Sequence, residues 1–324
     1  MPAKEWEVPM EILILSAQDV QRLLDPDGLL DALADGFRAL SSGQVDAPSR
    51  IGVSVPGAGF LLAMPAHQHE REIAVKLVSV FHDNARVSLP THQALICVFD
   101  PSTGAPVAVM DGTAITALRT AGASALATQL LAPADTHMLA IVGAGVQGRS
   151  HLKMVSRVRP FAEIRIWSQQ LAHSEELAAT DDRARAVESA EEAVRGADVV
   201  CLCTNAGNSV ISLDWLTAGA HVTSVGYAPP GSELDPHLIE QGHLFVETRL
   251  AFEPPPVGCA ELAGLDPSTG TELGEVLMDL SPGRRSRDEL TVYKAMGHAC
   301  EDLAAASLVY RRARQEGAGR TVDL

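Results

Sequence analysis

The chain has 324 residues, 46% of them hydrophobic and 20% charged. That composition supports an ordinary globular interior, and the length exceeds the usual size of one core, so two lobes are expected. With 25 basic and 41 acidic residues the formal charge is −16, which repels phosphate backbones and anionic lipid and argues against nucleic-acid or membrane partners; an anionic small molecule must be drawn in by individual arginines and lysines.

At the amino terminus, Met1–Pro9 carries charges and a tryptophan in place of an apolar run with a cleavage site, and no uncharged stretch reaches membrane-spanning length, so a cytoplasmic protein is expected. Glu11–Leu15 reads as a short strand, after which Ser16 caps a helix to about Leu24. From Asp27 to about Ser42, Leu29, Leu30, Leu33, Phe37 and Leu40 fall on one face of an amphipathic helix that Gly43 ends. Between Ile51 and Met110 the period shortens. Several β-rich runs, Ile73–Val80 and Ala94–Phe99 among them, are separated by turn signals such as Asp100-Pro101-Ser102-Thr103-Gly104, the pattern of an antiparallel meander. An alanine-rich helix follows over roughly Thr113–Leu131, with Pro133 beyond its end.

From His137 apolar strands alternate with helical stretches, as in a parallel sheet. The candidate strands are Met138–Val142, Glu163–Trp167, Val199–Cys203, His221–Val225 and Leu244–Val246, with a helix near Leu273–Met278 after the loop at Glu253-Pro254-Pro255-Pro256. A last helix, about Gly297–Gln315, has an alanine-rich face suited to packing back on the first lobe, which makes the second lobe an insertion. The five cysteines are scattered, and Cys201 and Cys203 share one strand face, so buried thiols are expected and a catalytic metal is not.

Met138–Gly148 reads MLAIVGAGVQG, an apolar strand running into G-x-G-x-x-G and a helix-compatible stretch. In that context Gly143 permits the tight turn, Gly145 lets the backbone approach a pyrophosphate, and Gly148 allows close helix–strand packing, while free N–H groups at the helix start hold the anion. The implied fold class is α/β, a Rossmann dinucleotide-binding domain inserted into a second, α+β domain, with residues 119–295 forming the former and 1–118 with 296–324 the latter. The second strand ends in Ser168-Gln169-Gln170, without the carboxylate that binds an NAD ribose. Ser168 can donate to a 2′-phosphate, so NAD(P)H is expected with NADP slightly favoured over NAD.

Met64-Pro65, Lys76, Asn84, Arg119-Thr120-Ala121, Gly143–Gln147 and the segment from Gly297 to Asp302, in this order, resemble the ornithine cyclodeaminase and mu-crystallin family over most of the chain. The resemblance implies a homodimer whose substrate domains meet across the interface. It also implies Lys76 as the active-site lysine, Arg50 and Arg119 as holders of a substrate carboxylate, and Thr91 near cofactor and substrate. A bidentate arginine suits a planar carboxylate, and a lysine in a partly desolvated cleft has a lowered pKa and relays a proton. The residues expected against the dinucleotide are Thr91, Thr120, Gly143, Ala144, Gly145, Val146, Gln147, Gly148, Ser168, Thr204 and Val225; His82 and His92 read as structural histidines.

Two departures from the cyclodeaminase pattern bear on the reaction. Tyr227 stands where cyclodeaminases carry an aspartate, and Phe60-Leu61-Leu62-Ala63 is wholly apolar where they place an acid before the MP segment. The run Thr291-Val292-Tyr293-Lys294-Ala295-Met296-Gly297 looks more like the ketimine-reductase branch. The expected activity is therefore NAD(P)H-dependent reduction of an imine or cyclic ketimine bearing a carboxylate, in amino-acid metabolism. The alternatives are alanine-dehydrogenase-like deamination, cyclodeaminase-like ring closure with ammonia loss, and non-catalytic binding of a small molecule.

Overall fold

In the computed structural model, which describes residues 11–323 apart from the side chains of His82 and Ala85, the strands gather into two eight-stranded sheets. The expectation drawn from Met1–Pro9 and the reading of the His82 side chain lie outside the described residues. The chain opens with β1 (Glu11–Leu15), α1 (Ala17–Leu23) and α2 (Pro26–Ser41). Ser16 and Asp19 form a capping box at the start of α1, and Asp25 with Pro26 starts α2. Just past the end of α2, Gly43 adopts φ +72°, a left-handed conformation that a side chain would strain.

There follow β2 (Val45–Asp46), β3 (Ile51–Val55), β4 (Gly59–Gln68), β5 (Ile73–Phe81), β6 (His92–Phe99) and β7 (Pro106–Asp111). The run β4 to β7 is the expected antiparallel meander, and β1 lies parallel beside β7. Alternate residues Leu62, Met64, Val78 and Ile96 enter the core with Leu33 and Phe37 of α2. On the opposite side Ile51, Val53, Leu61, Leu77 and Leu95 are exposed.

Asp111 caps α3 (Gly112–Leu131), whose small residues let neighbouring chains come close: a Cβ on Gly122 would meet Leu33 at 2.8 Å. This helix packs on α2 and also on the first helix of the second sheet, so the position between residues 118 and 119 falls inside an element shared by both lobes.

The second sheet is formed by β8 (Met138–Val142), α4 (Val146–Val158), β9 (Glu163–Trp167), α5 (Leu171–Ala178), β10 (Ala184–Ala186), α6 (Ala190–Val194), β11 (Val199–Leu202), β12 (His221–Ser224), α7 (Pro236–Gln241), β13 (His243–Val246), β14 (Gly270–Glu272), α8 (Leu273–Leu277) and β15 (Thr291–Lys294). All its pairings are parallel, in the order β10-β9-β8-β11-β12-β15-β13-β14. The short strands β10, β14 and β15 go beyond the sequence reading, and β15 inserts between β12 and β13. As expected, Cys201 and Cys203 are buried, in the core on the α3 side of the sheet, while Val200 and Leu202 face the other way. Finally α9 (Ala299–Glu316) returns to pack on α2, α3 and the meander, and β16 (Arg320–Asp323) pairs antiparallel with β1.

Candidate active site

Lys76 occupies a position on β5 where alternation calls for an apolar residue, between buried Ala74 and Val78 and opposite Met64 of β4. Its side chain is 2% exposed and ion-paired to Asp302 Oδ2 at 2.6 Å. Asp302 Oδ1 in turn accepts from Arg119 Nε at 3.0 Å, and the same guanidinium reaches Glu301 Oε2 at 3.2 Å. Both acids lie in the first turn of α9, where the helix N-terminus favours negative charge. Glu301 has a second task, closing a capping box by accepting from the His298 N–H at 2.6 Å.

Gly297 joins the second arginine to this cluster. Arg50 donates to the Gly297 carbonyl at 2.7 Å, and a Cβ on Gly297, which sits at φ +72°, would lie 2.6 Å from Arg119. Only glycine fits between the two guanidinium groups. Glu247, one residue past β13, accepts the N–H groups of Met296 and Gly297 and pins this turn. A cleft bordered by Arg50, Met64, Glu247, Met296 and His298 opens beside it. Because Arg119 is already bonded through Nε and one terminal nitrogen, its remaining N–H groups are left over, whereas among the described residues Arg50 has the Gly297 carbonyl as its hydrogen-bond partner.

These groups set one another's charge. Burial lowers the Lys76 pKa to about 8, with Asp302 partly offsetting it. Burial alone would raise Asp302, but Arg119 and Lys76 outweigh it and hold the carboxyl below its ordinary value. Arg119 is raised despite its burial, by Asp302 and Glu301, so its charge is permanent. Glu301 is pushed up to about 7 by burial, against the pull of Arg119. Burial, with the positive field of Arg50, takes His298 down to about 4, which leaves it neutral. The site thus holds a lysine able to give up a proton near neutral pH, beside a fixed positive charge.

The glycine turn lies at the carboxyl end of β8, the edge of an open parallel sheet where ligands bind. Gly143 has φ +109° and its Cβ position is 2.6 Å from the Cys203 carbonyl; a Cβ on Gly148 would fall 1.9 Å from the Gly143 carbonyl. Around Gly145, by contrast, there is open space, and as N-cap of α4 it supplies no side chain to the helix start. Gln147 Oε1 is buried and has no hydrogen-bond partner among the described residues. Ala144 is buried and Val146 exposed. The cradle suits a pyrophosphate: backbone N–H groups, room beside Gly145, and an unsatisfied polar atom next to it.

Among the other expected cofactor residues, Thr204 follows β11 and gives both its N–H and hydroxyl to Glu233 Oε2, at 2.7 and 2.6 Å. Val225 follows β12 and donates to the Leu202 carbonyl. Both stand at the same sheet edge as the glycine turn. Thr120 is buried in α3 next to Arg119. Ser168 follows β9 but donates its hydroxyl to the Gln170 carbonyl at 2.8 Å, so contact with a ribose requires that hydroxyl to rotate. Thr91 lies before β6, its carbonyl accepting from Phe81, well along the ladder from Ile96, the partner of Lys76. Asn84 closes the loop after β5 by donating to the Pro90 carbonyl, and His92 opens β6 at an exposed position opposite Val80.

Sequence reading passed over Asp302, Glu301, Glu247 and His298 as site residues. The signals are local: two adjacent acids at the start of an alanine-rich helix, and a glutamate directly after the apolar run Leu244-Phe245-Val246.

Comparison with known proteins agrees with this arrangement. The model of the ornithine cyclodeaminase/mu-crystallin family matches residues 10–317. Mouse (Mus musculus) ketimine reductase mu-crystallin is 39% identical over 304 residues, covering 91% of this chain and 96% of the relative. The structure of Thermococcus litoralis Δ1-pyrroline-2-carboxylate reductase in complex with NADH and L-proline superposes with a TM-score of 0.90 at 31% identity, covering 96% of this chain and all of that one (100%). An archaeal alanine dehydrogenase dimer with bound NAD gives a TM-score of 0.86 at 28% identity, over 97% of this chain and 99% of that one. The chain belongs to the ornithine cyclodeaminase/mu-crystallin family.

Proposed function

We propose that the protein is an NAD(P)H-dependent reductase of imines or cyclic ketimines that carry a carboxylate. The observation that carries this reading is the buried Lys76–Asp302 pair set against Arg119 and, through Gly297, against Arg50. Relatives with the same architecture are named for reduction of ketimines and of Δ1-pyrroline-2-carboxylate. The backbone around Gly143, Gly145 and Gly148 holds the cofactor's pyrophosphate, and bound NAD(P)H supplies hydride. Arg50 and the free edge of Arg119 orient the substrate carboxylate. Lys76, steered by Asp302, supplies the proton that keeps the C=N carbon electrophilic, and Asp302 then shares the remaining charge with Arg119.

Deamination of an amino acid such as alanine is this chemistry in reverse. Cyclodeaminase-like closure is less well supported, since Tyr227 offers no carboxylate beside the cleft. NADP is slightly favoured over NAD because Ser168-Gln169-Gln170 places no carboxylate at the end of β9 to repel a 2′-phosphate. A homodimer is proposed from the exposed apolar face of the meander, Ile51, Val53, Leu61, Leu77 and Leu95, which forms a patch a monomer rarely leaves in water. The two sheets, joined through α3, are proposed as the cofactor and substrate lobes.

Absorbance of NADH and NADPH, followed with cyclic ketimine carboxylates and with pyruvate plus methylamine, tests the activity. Oxidation of either cofactor by these substrates is expected. Proline formation from ornithine with no net cofactor use would overturn the reductase reading.

A further inference from the structure

The turn that leads into α9 is built around one peptide group. The Gly297 carbonyl takes Arg50 at 2.7 Å, and the N–H at the other end of the same peptide, that of His298, goes to Glu301 Oε1 at 2.6 Å. The His298 side chain therefore starts from a plane fixed at both ends by charged groups of the site. His298 is also the N-cap of α9, and its ring nitrogen Nδ1 accepts the Cys300 N–H at 3.2 Å.

A backbone amide can only donate, so Nδ1 presents its lone pair and the ring proton sits on Nε2. Protonation of Nδ1 would break the cap and put a cation at the positive end of a helix, in the field of Arg50, Arg119 and Lys76. The ring is thus held as a neutral imidazole with one fixed donor. Serine, asparagine and aspartate are the usual helix caps, but none of them carries a donor a ring's width past the cap. Among the described residues the ring's hydrogen-bond partner is the Cys300 amide, which leaves Nε2–H unclaimed. His298 is 9% exposed, and the space that it borders is the cleft it shares with Arg50 and Met64. Glu247, on the same cleft, is spent on the N–H groups of Met296 and Gly297.

We propose that His298 is a substrate-contacting residue whose Nε2–H donates to the carboxylate held by Arg50, as an uncharged partner to that guanidinium. The inference rests on the carboxylate reading of the Arg50 cleft. A carboxylate accepts more hydrogen bonds than one guanidinium supplies. A further cation at this place would drive the proton off Lys76, whereas a neutral donor completes the coordination without doing so.

Substitution separates the two ring nitrogens. Asparagine reproduces the Nδ1 acceptor with its Oδ1 and has nothing at the Nε2 position; glutamine brings an amide N–H near the Nε2 position and lies outside the residues that cap well. Pyrrole-2-carboxylate, a non-reacting ring carboxylate, is titrated into the NADH complexes of wild type, His298→Asn and His298→Gln, with thermal melts and ketimine turnover measured alongside. His298→Asn is expected to melt with wild type and to bind the carboxylate about tenfold more weakly, the loss of one hydrogen bond to a charged group. Its KM for the ketimine is expected to rise to a similar extent with kcat within about twofold of wild type. His298→Gln is expected to melt lower yet to recover most of the affinity. Wild-type affinity in His298→Asn overturns the inference. So does a loss of affinity that follows the melting temperature across the two variants, which makes His298 only the cap of α9. In both cases normal ketimine turnover leaves the reductase reading standing. Donor-dependent carboxylate binding without ketimine turnover in the wild type supports the inference and removes the reductase reading. Absence of carboxylate binding in the wild type overturns the inference together with the carboxylate reading on which it rests.

Discussion

A lysine paired to one carboxylate and buried in the field of Arg119 is poised to change its protonation state. Lys76→Met keeps the volume of the side chain and leaves Asp302 bonded to Arg119, so the fold is expected to survive while kcat falls by about 10²–10⁴-fold, the usual worth of a general acid. Steady-state kinetics with the ketimine substrate, next to a thermal melt, checks both halves. The pH dependence has a defined sign. Lys76 acts protonated, and its pKa is lowered to about 8, so turnover is expected below that pH and is lost as pH rises through it. In Lys76→Met the limb near pH 8 disappears, leaving the titrations of Glu301, whose pKa is pushed up to about 7, and of the substrate; persistence of an unchanged limb near 8 in the variant contradicts the assignment. Lys76 and Arg119 were readable only through the matched order of the family motifs, because a base on its own reads as a solvated or ion-paired side chain. Asp302 and Glu247 were not, since their partners lie on distant elements and a carboxylate in sequence looks the same whether solvated or paired.

Among the elements, the strand–turn–helix around the glycines was the most legible, down to the bounds of β8. Its constraints are local: an apolar run, a turn that needs positive φ, and a helix that must touch the turn. The three glycines nevertheless do different work, and substitution separates them. Gly145→Ala points a methyl into open space from an ordinary φ of −76°, so an unchanged melting temperature is expected together with weaker NADH binding, read by fluorescence titration. Gly148→Ala drives a Cβ to 1.9 Å from the Gly143 carbonyl, so the melt itself is expected to collapse. Equal losses of stability in both variants contradict the division of roles. The place of β15 was hidden for the opposite reason. Its insertion between β12 and β13 is a long-range pairing, which no period in Thr291–Lys294 records.

On the scale of the whole molecule, the two sheets share α3, and the cleft lies where the carboxyl ends of β13 and β15 meet the meander. The β-rich runs and turn signals between Ile51 and Met110 made an antiparallel meander legible, yet which partner covers its outer face is a property of an assembly and leaves no local signal. A dimer through that face predicts that Leu77→Lys with Leu95→Lys, both on exposed positions, shifts sedimentation from dimer to monomer. A wild type that sediments as a monomer at micromolar concentration contradicts it.

Hydride is expected to pass from a dinucleotide on the parallel sheet to an imine carbon held beside Lys76. Turnover of a cyclic ketimine carboxylate with nicotinamide cofactor deuterated at the transferable position, analysed by mass spectrometry of the amino-acid product, tests it most directly. One deuterium in the product from wild type is expected, with almost no product from Lys76→Met. Product formed without deuterium would contradict it.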